Sequence, residues 1–139
     1  AMRTIWVKRE SADSRKQTRR EVLRRIQDAL SVIIFPEGTT HDGPEILDYK
    51  MGMFKMCADG GFPITPIAME YRDKDVAWIG SSTFLDHAFR SFGHRNIDVA
   101  VRFGEVQYGD DPVELRQRIH DWTAQACLEM RASWDAQKS

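Results

Sequence analysis

"SVIIFPEGTTHDG", residues Ser31 to Gly43, runs without a break from apolar residues into a proline, a glutamate and a glycine. An apolar run with no alternation is the pattern of a strand covered on both faces. Pro36 fixes its own φ and Gly38 tolerates positive φ, so "PEG" reads as a sharp turn directly after that strand, aiming Glu37 into a crevice. Successive N–H groups at Gly38, Thr39 and Thr40 can form a small anion-binding nest, with two hydroxyls beside them. Such a loop suits a phosphate or a carboxylate. A plain turn whose glutamate caps nearby N–H groups fits the same residues, and these residues alone leave both readings open.

Upstream, "TIWV" (Thr4 to Val7) is short and β-rich and ends in Lys8, Arg9 and Glu10. Ser14 and Gln17 have capping-box spacing, and Val22, Leu23, Ile26, Ala29 and Leu30 recur at helical intervals, which predicts an amphipathic helix over residues 14–30. Strand, helix and strand in so short a span predict a βαβ unit with parallel strands and a right-handed crossover. Both strands then end on one edge of the sheet, bringing Arg9 to the rim that carries the "PEGTT" loop, the usual ligand edge of an open α/β sheet. Arg9 offers a guanidinium able to grip an anion with two prongs, although an arginine at a strand end is also commonly a solvated rim charge.

Downstream, "YKMGMFKMCADGG" predicts a helix stopped by Gly60 and Gly61. "PITPIAMEY" predicts an apolar strand in which Pro66 marks an edge or a start. "VAWIG" reads as a short strand, "STFLDHAFRSFG" has mixed helical spacing, and "NIDVAVRFG" alternates as a strand does. Asp111, Pro112 and Glu114 stand in the order of cap, first-turn proline and N-terminal charge, opening a helix to about Ser133 with Leu115, Ile119, Trp122, Ala126 and Met130 on one face. The expected fold is one α/β domain over residues 1–139, a mixed, mostly parallel sheet with flanking helices.

Twenty Lys plus Arg against 21 Asp plus Glu leave a net charge of −1, which argues against nucleic acid as a partner. Cys57 and Cys127 fit no metal-ligand or CxxC spacing and read as buried thiols. No apolar stretch approaches the roughly 20 residues of a spanning helix. Ala1 ahead of Met2, with a core-like strand following at once, reads as a fragment truncated on its amino-terminal side.

"FPEGTT", preceded by "SVII" and followed by "DYKMGMF" and "FPITPIAM", resembles the third block of the glycerolipid acyltransferases typified by 1-acylglycerol-3-phosphate acyltransferases. "IWVKR" looks like that family's second block and "ITPIA" its fourth, in order; "AWIGSSTFLDH" and "VAVRFGE" look like its later strands. Two departures stand out. Thr40 occupies a place where the family often has arginine; Thr-Thr-x-Asp-Gly variants exist, including among proteins similar to lyso-ornithine-lipid acyltransferases, which weakens the case for a phosphate-bearing acceptor. The first block, His-x4-Asp, is absent: five places beyond His41, His87, His94 and His120 stand Ile46, Phe92, Val99 and Gln125.

The resemblance implies transfer of a fatty acyl group from acyl-CoA or acyl-carrier protein to a lysophospholipid, with no other cofactor and no metal. It assigns acceptor binding to Arg9, Glu37, Gly38, Thr39 and Thr40, with Lys50 neutralising the head group. It also implies the cytoplasmic face of a membrane, reached peripherally or through a segment outside this chain. Without the base pair the chain alone is expected to be inactive. The alternative is a non-catalytic lipid-binding or membrane-docking module of the same fold.

Two further features bear on membranes. Arg15, Lys16, Arg19, Arg20, Arg24 and Arg25 line the polar side of the first helix, where each cation would be worth about 1 kcal/mol near anionic lipid; Glu21 and Asp28 interrupt them, as on an ordinary solvated face. Phe84, Phe89 and Phe92 fit either an acyl-chain groove or plain core packing.

Overall fold

The computed structural model describes Ile5 and residues 12–39, 44–72 and 97–136. The chain falls into two compact units, Ala1–Phe35 and Pro36–Ser139. Of the expected strand Thr4 to Val7 only Ile5 is described, and its parallel pairing, "VAWIG" and "STFLDHAFRSFG" with its three phenylalanines lie outside the described residues.

In the first unit, α1 spans Ala12–Gln27 and begins two residues ahead of the expected start. Val22 is buried, with Leu23 and Ile26 half-buried beside it, so the apolar stripe at helical spacing is the packed side. On the polar side Glu21 accepts from Arg24 at 2.8 Å and Arg25 at 3.0 Å, and Arg24 reaches Asp28 at 3.2 Å. These hydrogen bonds, Arg24's first, hold the Glu21 carboxyl down at about 2. The helix ends by doubling back: Ala29 N–H donates to the Ile26 carbonyl and Leu30 N–H to that of Arg25, with Ala29 left-handed at φ 57°.

Residues 31–35 correct an expectation. In place of a strand covered on both faces, they enter no ladder among the described residues, and Ile33 and Phe35 are 65% and 76% exposed. A buried strand needs neighbours on its two edges and cover on its two faces; none pairs with this run among the described residues.

The second unit is organised by its last helix. In chain order it holds α2 (Met51–Gly60), β1 (Ile67–Tyr71), β2 (Val99–Phe103) and α3 (Pro112–Ala136). The Asp111 carboxylate accepts from the N–H groups of Val113 at 2.7 Å and Glu114 at 3.2 Å, opening α3 where the sequence predicts it. Leu115, Ile119, Thr123, Ala126, Cys127 and Met130 are buried along one stripe; Trp122 is half-buried. Leu115 and Ile119 pack with Tyr49 and Phe54, and the lower half of the stripe with Ala68 of β1. Both cysteines are free and buried, and burial pushes the Cys127 thiol up to about 11. α2 closes on Gly61 at φ 63°, with Phe62 N–H donating to the Cys57 carbonyl, as the glycine pair predicts.

The described sheet has two strands and is antiparallel, Ile67 facing Phe103 and Tyr71 facing Val99. With the helices this makes the described fold mixed α/β, while the parallel pairing expected of Thr4 to Val7 falls outside the described residues. Pro66 sits just ahead of β1, where its missing N–H costs the ladder nothing, and its carbonyl accepts from Gly104 N–H at 2.9 Å. A Cβ on Gly104 would stand 2.7 Å from the Trp122 ring, so glycine is what lets β2 leave the sheet beneath α3. One face of the sheet, with Ala68 buried and Ala100 half-buried, turns to α3, where Glu70 and Arg131 pair at 2.9 Å. The other carries Ile67, Met69, Tyr71, Val99, Val101 and Phe103, each at least 40% exposed. No helix among the described residues is long and apolar enough to cross a membrane.

Candidate functional site

The Pro36–Glu37 turn is closed by backbone. Lys50 N–H donates to the Pro36 carbonyl at 2.8 Å, and Gly38 takes φ 71°, a left-handed value that a side chain at this position would strain. The predicted turn is therefore present, with glycine where the turn requires it. Glu37 is half-buried, and its Oε2 accepts from Leu47 N–H at 3.2 Å. Its carboxylate thus joins residues ten apart in the sequence.

Lys50 comes to the same place by a different route. It occupies the cap position of α2 in an extended conformation (φ −71°, ψ 125°), with no side-chain cap there and no acidic residue in the first turn. Its Cγ lies 3.7 Å from where a Cβ on Gly38 would be, so the lysine stem runs over the glycine. The positive end of α2 and the exposed ammonium beside it favour an anion. Glu37, Gly38 and Lys50 are thereby brought together; Thr39 follows and is exposed. Arg9 and Thr40 lie outside the described residues.

The segment from Ile46 to Lys50, which receives these contacts, is itself held from α3. Arg116 Nη1 donates to the Tyr49 carbonyl at 3.2 Å, and His120 Nε2 lies 3.4 Å from the Ile46 carbonyl. The Tyr49 ring is buried, stacked on Phe54 at 5.9 Å and met edge-on by His120 at 5.0 Å. Burial raises the Tyr49 hydroxyl above its ordinary range, and it stays protonated at neutral pH. Sequence reasoning did not find these helpers: no local pattern links Arg116 or His120 to a segment 67 and 74 residues earlier. Among the described residues no group of His, Cys, Asp and Glu could hold a metal ion.

A family profile described as "Acyltransferase" matches residues 1–70. Among characterised relatives, the chain is 36% identical over 114 residues to the mouse protein named lysophosphatidylcholine acyltransferase 2B, covering 80% of this chain and 20% of that protein. It is 28% identical over 121 residues to a lyso-ornithine lipid O-acyltransferase of Rhizobium meliloti (strain 1021), covering 74% and 41%. It is 33% identical over 112 residues to the Arabidopsis thaliana protein named lysophospholipid acyltransferase LPEAT2, covering 78% and 19%. The chain thus spans between about a fifth and two fifths of the length of these relatives. No solved structure matches.

Proposed function

The chain belongs to the acyltransferase family, and from that premise we propose that it forms the acceptor-binding part of a lysophospholipid acyltransferase. The observation that carries this reading is the closed turn: Glu37 is tied to Leu47 N–H at 3.2 Å while the Lys50 stem crosses Gly38. A carboxylate held on a backbone amide is set to accept from an acceptor hydroxyl, and the lysine and helix end attract a negatively charged head group. Arg9 and Thr40 enter the reading from the sequence resemblance alone.

In the reaction, the acceptor hydroxyl oxygen bonds to the thioester carbonyl carbon, the carbon–sulfur bond breaks, and the hydroxyl proton leaves through a base to the departing thiol. The donor is acyl-CoA or acyl-carrier protein, and the site of action is the cytoplasmic face of a membrane. None of the four histidines has an aspartate five places on, so no general base is assigned within this chain. The same fact favours a second reading, a lipid-binding or membrane-docking module.

Turnover of acyl-CoA with lysophosphatidylcholine and with lyso-ornithine lipid separates them, measured for the 139-residue chain and for the complete gene product. The chain alone is expected to be inactive and the complete product active. There, Arg9→Ala should lower kcat/KM for the acceptor about ten- to a hundredfold, the loss of one charge-assisted hydrogen bond, with the donor KM unchanged. Glu37→Gln should impair turnover as well. An inactive complete product hands the case to the binding module; a turning-over 139-residue chain overturns the assignment of the base outside it.

A further inference from the structure

We infer that Arg116 and His120 are positioning residues for the acceptor turn, an assignment that rests on the reading above. Residues 46–50 form a strap with no regular structure, yet four of its backbone groups are bonded on two opposite sides. Leu47 N–H and Lys50 N–H go to Glu37 and to the Pro36 carbonyl. The carbonyls of Ile46 and Tyr49 face His120 and Arg116 of α3. The strap therefore links α3 to the Glu37 carboxylate.

The two helix residues are spaced for this task. Four apart, they lie one above the other on a single face of α3, and they meet carbonyls three residues apart on the strap. Among the described residues Arg116 has no carboxylate partner, whereas Arg118, two places on, pairs with Glu114 at 3.2 Å. The guanidinium of Arg116 is thus committed to the strap.

His120 points the same way by what it leaves undone. Nε2 faces the Ile46 carbonyl, which can only accept, so Nε2 donates. Nδ1 is buried without a hydrogen bond, the Asp121 carboxylate standing 3.6 Å away. A buried, unbonded ring nitrogen destabilises the fold, and a phenyl ring would keep the edge contact with Tyr49 without it. His120 thus has its bonded end on the strap and its unbonded end away from it.

The test uses the 139-residue chain and hexanoyl-lysophosphatidylcholine, a probe monomeric in buffer. Amide hydrogen exchange at Leu47 and Lys50 is compared in the wild type, Arg116→Ala, Arg116→Lys and His120→Phe, alongside the probe's Kd and the melting temperature. Arg116→Ala should speed exchange at Leu47 and Lys50 and weaken the probe about tenfold, and His120→Phe about threefold, in line with one charged and one weaker hydrogen bond. Arg116→Lys, which keeps the charge and a donor group on a shorter reach, should recover part of the affinity. His120→Phe should melt no lower than the wild type.

Unchanged Leu47 exchange and unchanged Kd in both Arg116→Ala and His120→Phe would overturn the inference. So would faster exchange across α2 and α3 in step with a lower melting temperature, the mark of a purely structural role. If Arg116→Ala does not fold, His120→Phe and Arg116→Lys carry the decision by the same criteria. Glu37→Gln in the same titration separates the two levels. A loss there with silent Arg116 and His120 variants removes only the positioning role. No effect of Glu37→Gln, or no saturable binding by the wild type, removes the acceptor reading and the positioning role with it.

Discussion

Residues 30–35 and residues 36–50 are consecutive in the chain and held in opposite ways. The first stretch is almost wholly apolar, and Leu30, Ile33, Ile34 and Phe35 are exposed, with no ladder among the described residues. The second mixes charged, polar and apolar residues, yet its turn is closed by Lys50 and Glu37 and its strap is bonded from α3. Hydrophobicity alone gives an extended segment no fixed place, because its backbone N–H and C=O groups still need partners. Directional bonds to a rigid helix fix a segment of unremarkable composition. The turn proposed to receive the acceptor belongs to the second kind, and holding a carboxylate steady calls for such bonds.

The largest expected effect tests whether the core beneath the strap is what anchors it. Leu115 is 1% exposed and packs with Tyr49 and Phe54. Leu115→Ala should destabilise the chain by about 2–5 kcal/mol, with the spread set by how far the site collapses. In denaturant unfolding followed together with Leu47 exchange, stability and Leu47 protection should fall together; a fully destabilised core with Leu47 still protected would break the comparison.

A smaller effect concerns the end of α1, just ahead of the exposed run. α1 and α2 close with the same pair of backbone bonds, but α2 does so on Gly61 and α1 on Ala29, both left-handed. A left-handed alanine is strained by about 1–2 kcal/mol, part of which glycine forfeits through its freer unfolded chain, so Ala29→Gly should stabilise α1 by about 0.5–1 kcal/mol. Helicity on heating reads this out, and exchange at Leu47 and Lys50 should not move. A loss of helicity would show that the closing turn is not what holds the segment's entry.

The smallest effect is acid-dependent. Glu21 has its folded carboxyl pKa depressed to about 2 from 4.5 by Arg24 and Arg25. A depressed carboxylate contributes stability that is present above the unfolded value and lost as pH falls through the folded one. The α1 signal should therefore weaken between about pH 4.5 and 2, and Glu21→Gln should flatten that limb. The group is partly exposed, so salt should shrink the effect. A carboxyl of Glu21 titrating near its ordinary value, read by NMR, would show the arginine bonds to be absent in solution.

Local chemistry made some of this structure legible and long-range pairing hid the rest. Asp111, Pro112 and Glu114 announce α3, Gly60 and Gly61 announce the end of α2, and Pro36 with Gly38 announces the turn, because each acts through its own backbone. The alternation in "NIDVAVRFG" shows a strand but carries no information on pairing direction, and β1 and β2 pair antiparallel. The end of α1 was illegible because alanine is not a residue that signals a left-handed turn. Glu37, Gly38 and Lys50 were found from the motif and are brought together in the fold. Arg116 and His120 were not, since an arginine and a histidine on a helix look like any surface pair until the strap lies across them.

The central claim is that the Glu37 turn receives a lysophospholipid head group. The direct measurement is a titration of the isotopically labelled chain with hexanoyl-lysophosphatidylcholine, followed at every backbone amide. The account predicts saturable shifts centred on Gly38, Leu47 and Lys50, lost in Glu37→Gln. Shifts confined to the exposed sheet face, from Ile67 to Tyr71 and Val99 to Phe103, with those three amides unmoved and Glu37→Gln without effect, would contradict it.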